Sequence, residues 1–109
     1  TLDDIHDAVV AYDGARPAGC AAFRHCGEKT AELKRVFVEP EYRGRGISGQ
    51  LIDAVEASAR EKGFARLILE SGEPLIAAMR LYLSRGYRVI PNYGPYMGME
   101  GSVCMEKRL

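Results

Sequence analysis

Apolar and polar positions alternate along this chain in short, punctuated blocks. Ala8-Val9-Val10-Ala11-Tyr12 is an apolar run closed by the turn signal Asp13-Gly14, which reads as a strand and a tight turn. Ala18 to His25, rich in small residues, returns as a second strand. Cys26-Gly27-Glu28-Lys29 turns the chain again, and Thr30 to Val38 makes a third strand. Three strands joined by short turns predict an antiparallel meander. From Ile47 the period changes. Apolar or small residues at 47, 51, 54, 55, 58 and 59 trace the buried stripe of a helix, Gln50, Asp53, Glu56 and Arg60 take the other side, and Gly63 stands where a left-handed cap would end it. Phe64 to Glu70 is a fourth strand, its Leu67-Ile68-Leu69 run suited to cover on both faces. Pro74 is placed to open a second helix, because its missing N–H costs nothing there. Leu75, Ala78, Met79 and Tyr82 make the inner face of that helix, and Gly86 ends it. Tyr87 to Ile90 is a fifth strand, Pro91 to Gly101 a loop carrying Tyr93, Tyr96, Met97 and Met99, and Ser102 to Arg108 a sixth strand. Thr1 to Asp7 is polar and acidic apart from Leu2 and Ile5 and receives no element.

The order β-β-β-α-β-α-β-β predicts a mixed α+β fold: a mostly antiparallel central sheet of about six strands with two main helices. A chain of 109 residues has room for one modest core, so residues 1–109 are read as one domain. Fifteen basic and fifteen acidic residues cancel, which removes the global field that nucleic acid or an anionic membrane would exploit; any anion specificity must be local. Cys20, Cys26 and Cys104 are odd in number and lack C-x-x-C spacing, so neither a disulfide scaffold nor a zinc knuckle is expected. His6 and His25 stand apart, without a ligand cluster, and no metal is expected. No apolar run approaches 18 residues. The expectation is a cytoplasmic protein with three free thiols and no nucleic-acid or membrane partner.

Local anion chemistry is concentrated in Val36-Phe37-Val38-Glu39-Pro40-Glu41-Tyr42-Arg43-Gly44-Arg45-Gly46-Ile47-Ser48-Gly49-Gln50. This is a strand, a glycine-rich loop and a helix start. Glycines let the chain pass close to a bound group, and the first helical turn offers backbone N–H groups without intrahelical partners. Those groups and the positive end of the helix dipole select an anion such as pyrophosphate. Arg43 and Arg45 add full charges. Two cradles fit the letters. Gly44 to Gly49 is a literal G-x-G-x-x-G with Glu70 twenty-one positions beyond, the dinucleotide-binding fingerprint. There, however, the first glycine follows its strand almost directly, whereas Glu39 to Arg43 intervene here, and about 60 remaining residues cannot supply the parallel βαβ units such a fold needs.

The second pattern is Q/R-x-x-G-x-G/A, filled by Arg43-Gly44-Arg45-Gly46-Ile47-Ser48. Here, and from about Ala8 onward, the chain resembles the GNAT superfamily of N-acetyltransferases. Serine stands at 48 where that family usually has Gly or Ala, and its small side chain keeps the cradle open. The resemblance implies the family's core from its second strand onward, without the first strand and first helical pair. It implies acetyl-CoA as co-substrate and direct transfer of an acetyl group, in a ternary complex, to a primary amine on a small molecule or peptide. It also implies a third strand splayed from its neighbour, with Val36, Phe37 and Val38 beside the pantetheine arm and Arg43, Gly44, Arg45, Gly46, Ile47, Ser48, Gly49 and Gln50 around the pyrophosphate. Tyr82 occupies the tyrosine of the family's A-x-x-L-Y-x-x-x-G-F/Y motif, where it would protonate the leaving thiolate; a core aromatic on an amphipathic helix is the plainer account. Glu32, eleven positions before Arg43, matches the general base of some members; a solvated strand glutamate paired with Lys34 or Lys29 fits as well. The Arg-Gly tract is too short for an RNA-binding repeat. The Pro91 to Gly101 loop could touch the acceptor or form the contact of a homodimer. The alternative from another class is a non-catalytic acyl-CoA-binding sensor or partner module.

Overall fold

A computed structural model of the protein describes residues 7–72 and 76–109. Leu2, Ile5, His6, Pro74 and Leu75, each given a place above, lie outside the described residues. Strands β1 (Asp7–Asp13), β2 (Arg16–His25) and β3 (Thr30–Val38) form the expected antiparallel meander. Helix α1 (Ile47–Glu61) then carries the chain across to β4 (Arg66–Gly72), which runs parallel to β3. After helix α2 (Ile76–Ser84), β5 (Arg88–Ile90) and β6 (Ser102–Arg108) complete one six-stranded sheet in the order β1-β2-β3-β4-β6-β5. This is the mixed α+β order that the pattern predicts. The fourth strand starts two residues later than its hydrophobic run suggests and continues through Ser71-Gly72, because those residues still pair with Val103 and Ser102.

Glycines end both helices as expected. Gly63 has φ +88° just beyond α1, and the Phe64 N–H donates back to the Ala59 carbonyl at 3.0 Å. Gly86, at φ +91°, lets the Tyr87 N–H reach the Tyr82 carbonyl at 3.1 Å, which sets the two tyrosine rings edge to face 5.7 Å apart. Both are the hydrogen-bond return of a left-handed helix cap.

α1 lies against β1, β2 and β3. Leu51, Ile52 and Val55 from the helix meet Phe23, Leu67 and Met105 from the sheet, all buried. Each such side chain contributes roughly 1.5–3 kcal/mol on burial, which makes this layer the main source of stability. Leu67, Ile68 and Leu69 are all buried, as their unbroken run implies. The helical stripe is rotated from the one expected: Ala54 is exposed, while Glu56, assigned above to the outer face, is buried. The physical reason is a network. Tyr87 donates its hydroxyl proton to Glu56 Oε2 at 2.9 Å, and Lys107 Nζ donates to Oε1 at 2.8 Å. A buried carboxylate is tolerated when its oxygens are filled in this way.

Glu56 and Asp53, two acidic residues of α1, should therefore differ sharply in their effect on stability. Glu56→Ala leaves Lys107 and the Tyr87 hydroxyl without their acceptor and is expected to cost about 3 kcal/mol. Asp53→Ala removes an exposed partner of Arg85 and should cost less than about 1 kcal/mol. Urea unfolding followed by circular dichroism reads both, and equal losses would contradict the assignment.

Candidate active site

The site begins with a defect in β3. Between the pairs Ala22↔Lys34 and Cys20↔Phe37, β2 advances two residues while β3 advances three. The extra residue is a bulge, and Arg35 sits in it at φ +54°. β3 bends away from β4. The parallel pairing is confined to Thr30↔Arg66, Ala31↔Leu67 and Glu32↔Ile68. Beyond Glu32 the two strands keep their outer partners, β2 and β6, but no longer pair with each other. Their facing edges line a cleft of about 540 Å³ with Lys34, Val36, Leu69 and Glu70 on the strands and Ala78 and Tyr82 on α2. Unpaired strand edges carry backbone donors and acceptors that a bound amide chain can satisfy.

The cleft leads to the glycine loop. A 3-10 turn, Pro40–Tyr42, follows β3, and the loop then passes Gly44 and Gly46, both at φ +78°. That left-handed conformation costs glycine nothing and other residues roughly 1–2 kcal/mol. Gly46 is also the N-cap of α1, with no side-chain cap and no acidic residue in the first turn. The first backbone bond of the helix runs from the Gln50 N–H to the Gly46 carbonyl, 3.3 Å. Hence the N–H groups of Ile47, Ser48 and Gly49 precede the intrahelical ladder. Gly44, Gly46, Ile47, Ser48 and Gly49 line a second hollow of about 300 Å³, and Ser48 borders both hollows.

The other residues expected at the cradle take several positions. Arg43 donates from Nε to the Val38 carbonyl at 3.1 Å and places its guanidinium 5.9 Å from the Phe37 ring centroid, which holds the loop against the strand. Val36 is half-buried, Val38 buried, and Phe37 exposed. Arg45 stacks 5.1 Å from the Tyr42 ring. Tyr42, unremarked in the sequence, is buried and donates to Asp13 at 2.8 Å, so it ties the loop to the end of β1. Its position four residues after the β-branched run that ends at Val38 was the available signal. Gln50 is exposed with its N–H already used. Gly49 has a second duty: a Cβ there would run into the Arg85 guanidinium, which lies over α1 and forks onto Asp53 at 3.1 and 3.2 Å.

Tyr82 is the buried residue of α2. Its ring packs on Tyr87, yet it lines the cleft, and its hydroxyl makes no hydrogen bond to the described residues. Burial raises its pKa above the usual value. The hydroxyl therefore keeps its proton through the physiological range.

Glu32 stands at the apex, in the last pair before the strands part. It is buried, not solvated. Arg24 Nε donates to Oε1 at 2.7 Å, Tyr93 donates its hydroxyl proton to Oε2 at 2.6 Å, and Lys34 Nζ lies 3.6 Å away. Burial alone would push its carboxyl up, but the hydrogen bonds from Tyr93 and Arg24 and the charge of Lys34 outweigh it, and the pKa falls below the ordinary carboxylate value. Tyr93 and Tyr96 arrive from the β5–β6 loop, edge to face at 5.5 Å, and Tyr96 accepts a hydrogen bond from Lys34 at 3.0 Å. That link spans 62 positions, and no local pattern announces it. Among the described residues no group of His, Cys, Asp and Glu is arranged to hold a metal, and no helix is long and apolar enough to cross a membrane.

This geometry coincides with that of known proteins. An IAA acetyltransferase of Azospirillum brasilense is 34% identical over 102 residues, 93% of this chain and 67% of its own. Human N-acetyltransferase 8 is 35% identical over 82 residues, 75% of this chain, but the match spans 35% of that longer protein. Among solved structures, a Klebsiella pneumoniae protein described as an acyl-CoA N-acyltransferase superposes with a TM-score of 0.87 at 35% identity, covering 94% of this chain and 71% of its own. Residues 2–87 match the model of the acetyltransferase (GNAT) family. The family match over most of the chain, with these relatives, shows that the chain belongs to the acetyltransferase (GNAT) family.

Proposed function

We propose that the protein is an N-acetyltransferase that moves an acetyl group from acetyl-CoA to a primary amine by direct transfer, both substrates being bound together. The observation that carries this reading is continuity: the slit between β3 and β4 runs, past Ser48, into the uncapped N-terminus of α1. An extended arm ending in a pyrophosphate needs that sequence of surfaces. The pyrophosphate would take the N–H groups at 47–49 and the charges of Arg43 and Arg45; the pantetheine arm would take the free edges around Val36 and Val38. Gln50 would contribute only through its side chain.

In the reaction the amine nitrogen forms a bond to the thioester carbonyl carbon and the C–S bond breaks. The amine gives up a proton and the departing sulfur gains one. Tyr82 would supply the sulfur's proton. Glu32 would receive the amine's, through Tyr93 or a water, since its own oxygens are covered. Positioning both reactants in the slit would supply much of the rate. Working in the cytoplasm accords with three free cysteines, and Met97 and Met99, exposed on the β5–β6 loop, offer a contact for a homodimer. A second reading draws on Glu32: a carboxylate so firmly hydrogen-bonded is a weak base, as a non-catalytic acyl-CoA sensor would allow.

Calorimetry with acetyl-CoA, CoA and NAD, followed by thiol release with a mixed panel of amines, separates these. Binding of acetyl-CoA but not NAD, with amine-dependent thiol release, is expected. Binding without release on any amine would favour the sensor, and no binding would end both readings. For the acid role, Tyr82→Phe should lower kcat at least tenfold while the affinity for acetyl-CoA changes less than about threefold. Because burial raises the Tyr82 pKa, its acid form persists to higher pH than that of an ordinary phenol, so any loss of wild-type rate from this group should appear only above the usual tyrosine range. An unchanged kcat in the variant at every pH would remove Tyr82 from the mechanism.

A further inference from the structure

The sheet face turned away from α1 carries a charged rung across five strands. Arg24 stands opposite Glu32, Glu32 beside Ile68, Ile68 opposite Glu106, and Glu106 opposite Arg88. Opposed positions share a face, and they alternate with Phe23, Leu33, Leu67 and Met105, which pack with α1 in the core. The two carboxylates lie about 10 Å apart, two strand spacings.

Each of them holds two cations. Glu32 has Arg24 at 2.7 Å and Lys34 at 3.6 Å; Glu106 has Arg66 at 2.8 Å and Arg88 at 2.7 Å. The layering matters more than the count. The carboxylate side chains are 2% and 5% exposed, whereas the cationic ones are between 33% and 70% exposed. Negative charge is inside and positive charge is outside, so this face is cationic to anything approaching it, although the chain as a whole is neutral. Glu70, also on this face and in the cleft, is the acidic counterweight.

α1 and Tyr82 of α2 close the slit on the core side. The acceptor must then enter from the charged face, where Lys34 lines the cleft one step beyond the apex. Resting on the acetyltransferase reading, we propose that the acceptor amine carries a carboxylate close to the amino group, and that Lys34, flanked by Arg24, is the specificity-determining residue that recognises it. Polyamines and lysine-rich peptides are excluded by the same charges.

The test uses amidated dipeptides Ala-Asp, Ala-Asn and Ala-Lys, which share one α-amine and differ only in the neighbouring charge. Their affinities for the CoA-loaded protein are measured by calorimetry, which reads preference whether or not acetyl transfer occurs. The acidic peptide should bind about tenfold more tightly than the basic one, the scale of one or two partly exposed charge pairs. Raising the salt from about 0.05 to 0.5 M should shrink the difference below threefold, as screening requires. Lys34→Gln, which keeps a donor for Tyr96, should do the same at low salt. Equal or reversed affinities, or no binding of the acidic peptide at millimolar concentration, would overturn the proposal. Persistence of the preference in Lys34→Gln would overturn the assignment to that residue. Failure to acetylate any of the three, with the binding order intact, would count instead against the transferase.

Discussion

Three residue pairs join β3 to β4, and the arrangement of the site depends on the pairing stopping there. A sheet that opens along one line while remaining whole on either side is a demanding object, since every backbone group on the inner edges loses its partner. The bulge at Arg35 makes it possible, because one extra residue bends β3 without detaching it from β2. Close packing holds the bend. A Cβ on Gly19 would come within 2.7 Å of the Phe37 carbonyl, so β2 passes the bent segment at a distance only glycine permits.

Helix α1 joins this slit to the core. Its middle turns carry the main apolar layer, while its first turn forms the floor of the glycine loop. Polar groups fix it at both ends: Arg85 and Asp53 near its start, Glu56 with Tyr87 and Lys107 farther along. The fixed points are also chain-level links between α2, β6 and the cleft. Tyr82 is held through the same Tyr87 that caps Glu56, so the orientation of the candidate acid is coupled to a buried network on the far side of the helix.

How much of this was legible depends on the range over which each feature is encoded. Gly44, Gly46, Gly63 and Gly86 mark positions where the backbone itself requires glycine, and they placed the loop and both helix ends correctly. The meander followed from apolar and small-residue runs closed by turn signals, and the first helix from its 3.6-residue period. Arg35 was invisible because a non-glycine residue occupies the positive-φ position of the bulge. Glu56 was misplaced because its burial depends on Tyr87 and Lys107, more than 30 residues away, and polarity alone assigns a glutamate to solvent. Glu32 is the mixed case. Its spacing to the loop singled it out, but the Tyr93 hydroxyl that covers it belongs to a loop whose fold rests on Asn92 reaching the carbonyls of Tyr96 and Ser102.

The bulge also sets where this architecture can change length. In a strand the side chains alternate between two faces, so one residue more or fewer reverses everything beyond it. Lys34 and Phe37 sit on opposite sides of the extra residue, and losing it would turn Val36 and Val38 over while straightening β3 toward β4. Divergence by insertion and deletion must therefore fall in connections such as residues 91–101, and the ridge of β3 can vary only by exchanging one side chain for another.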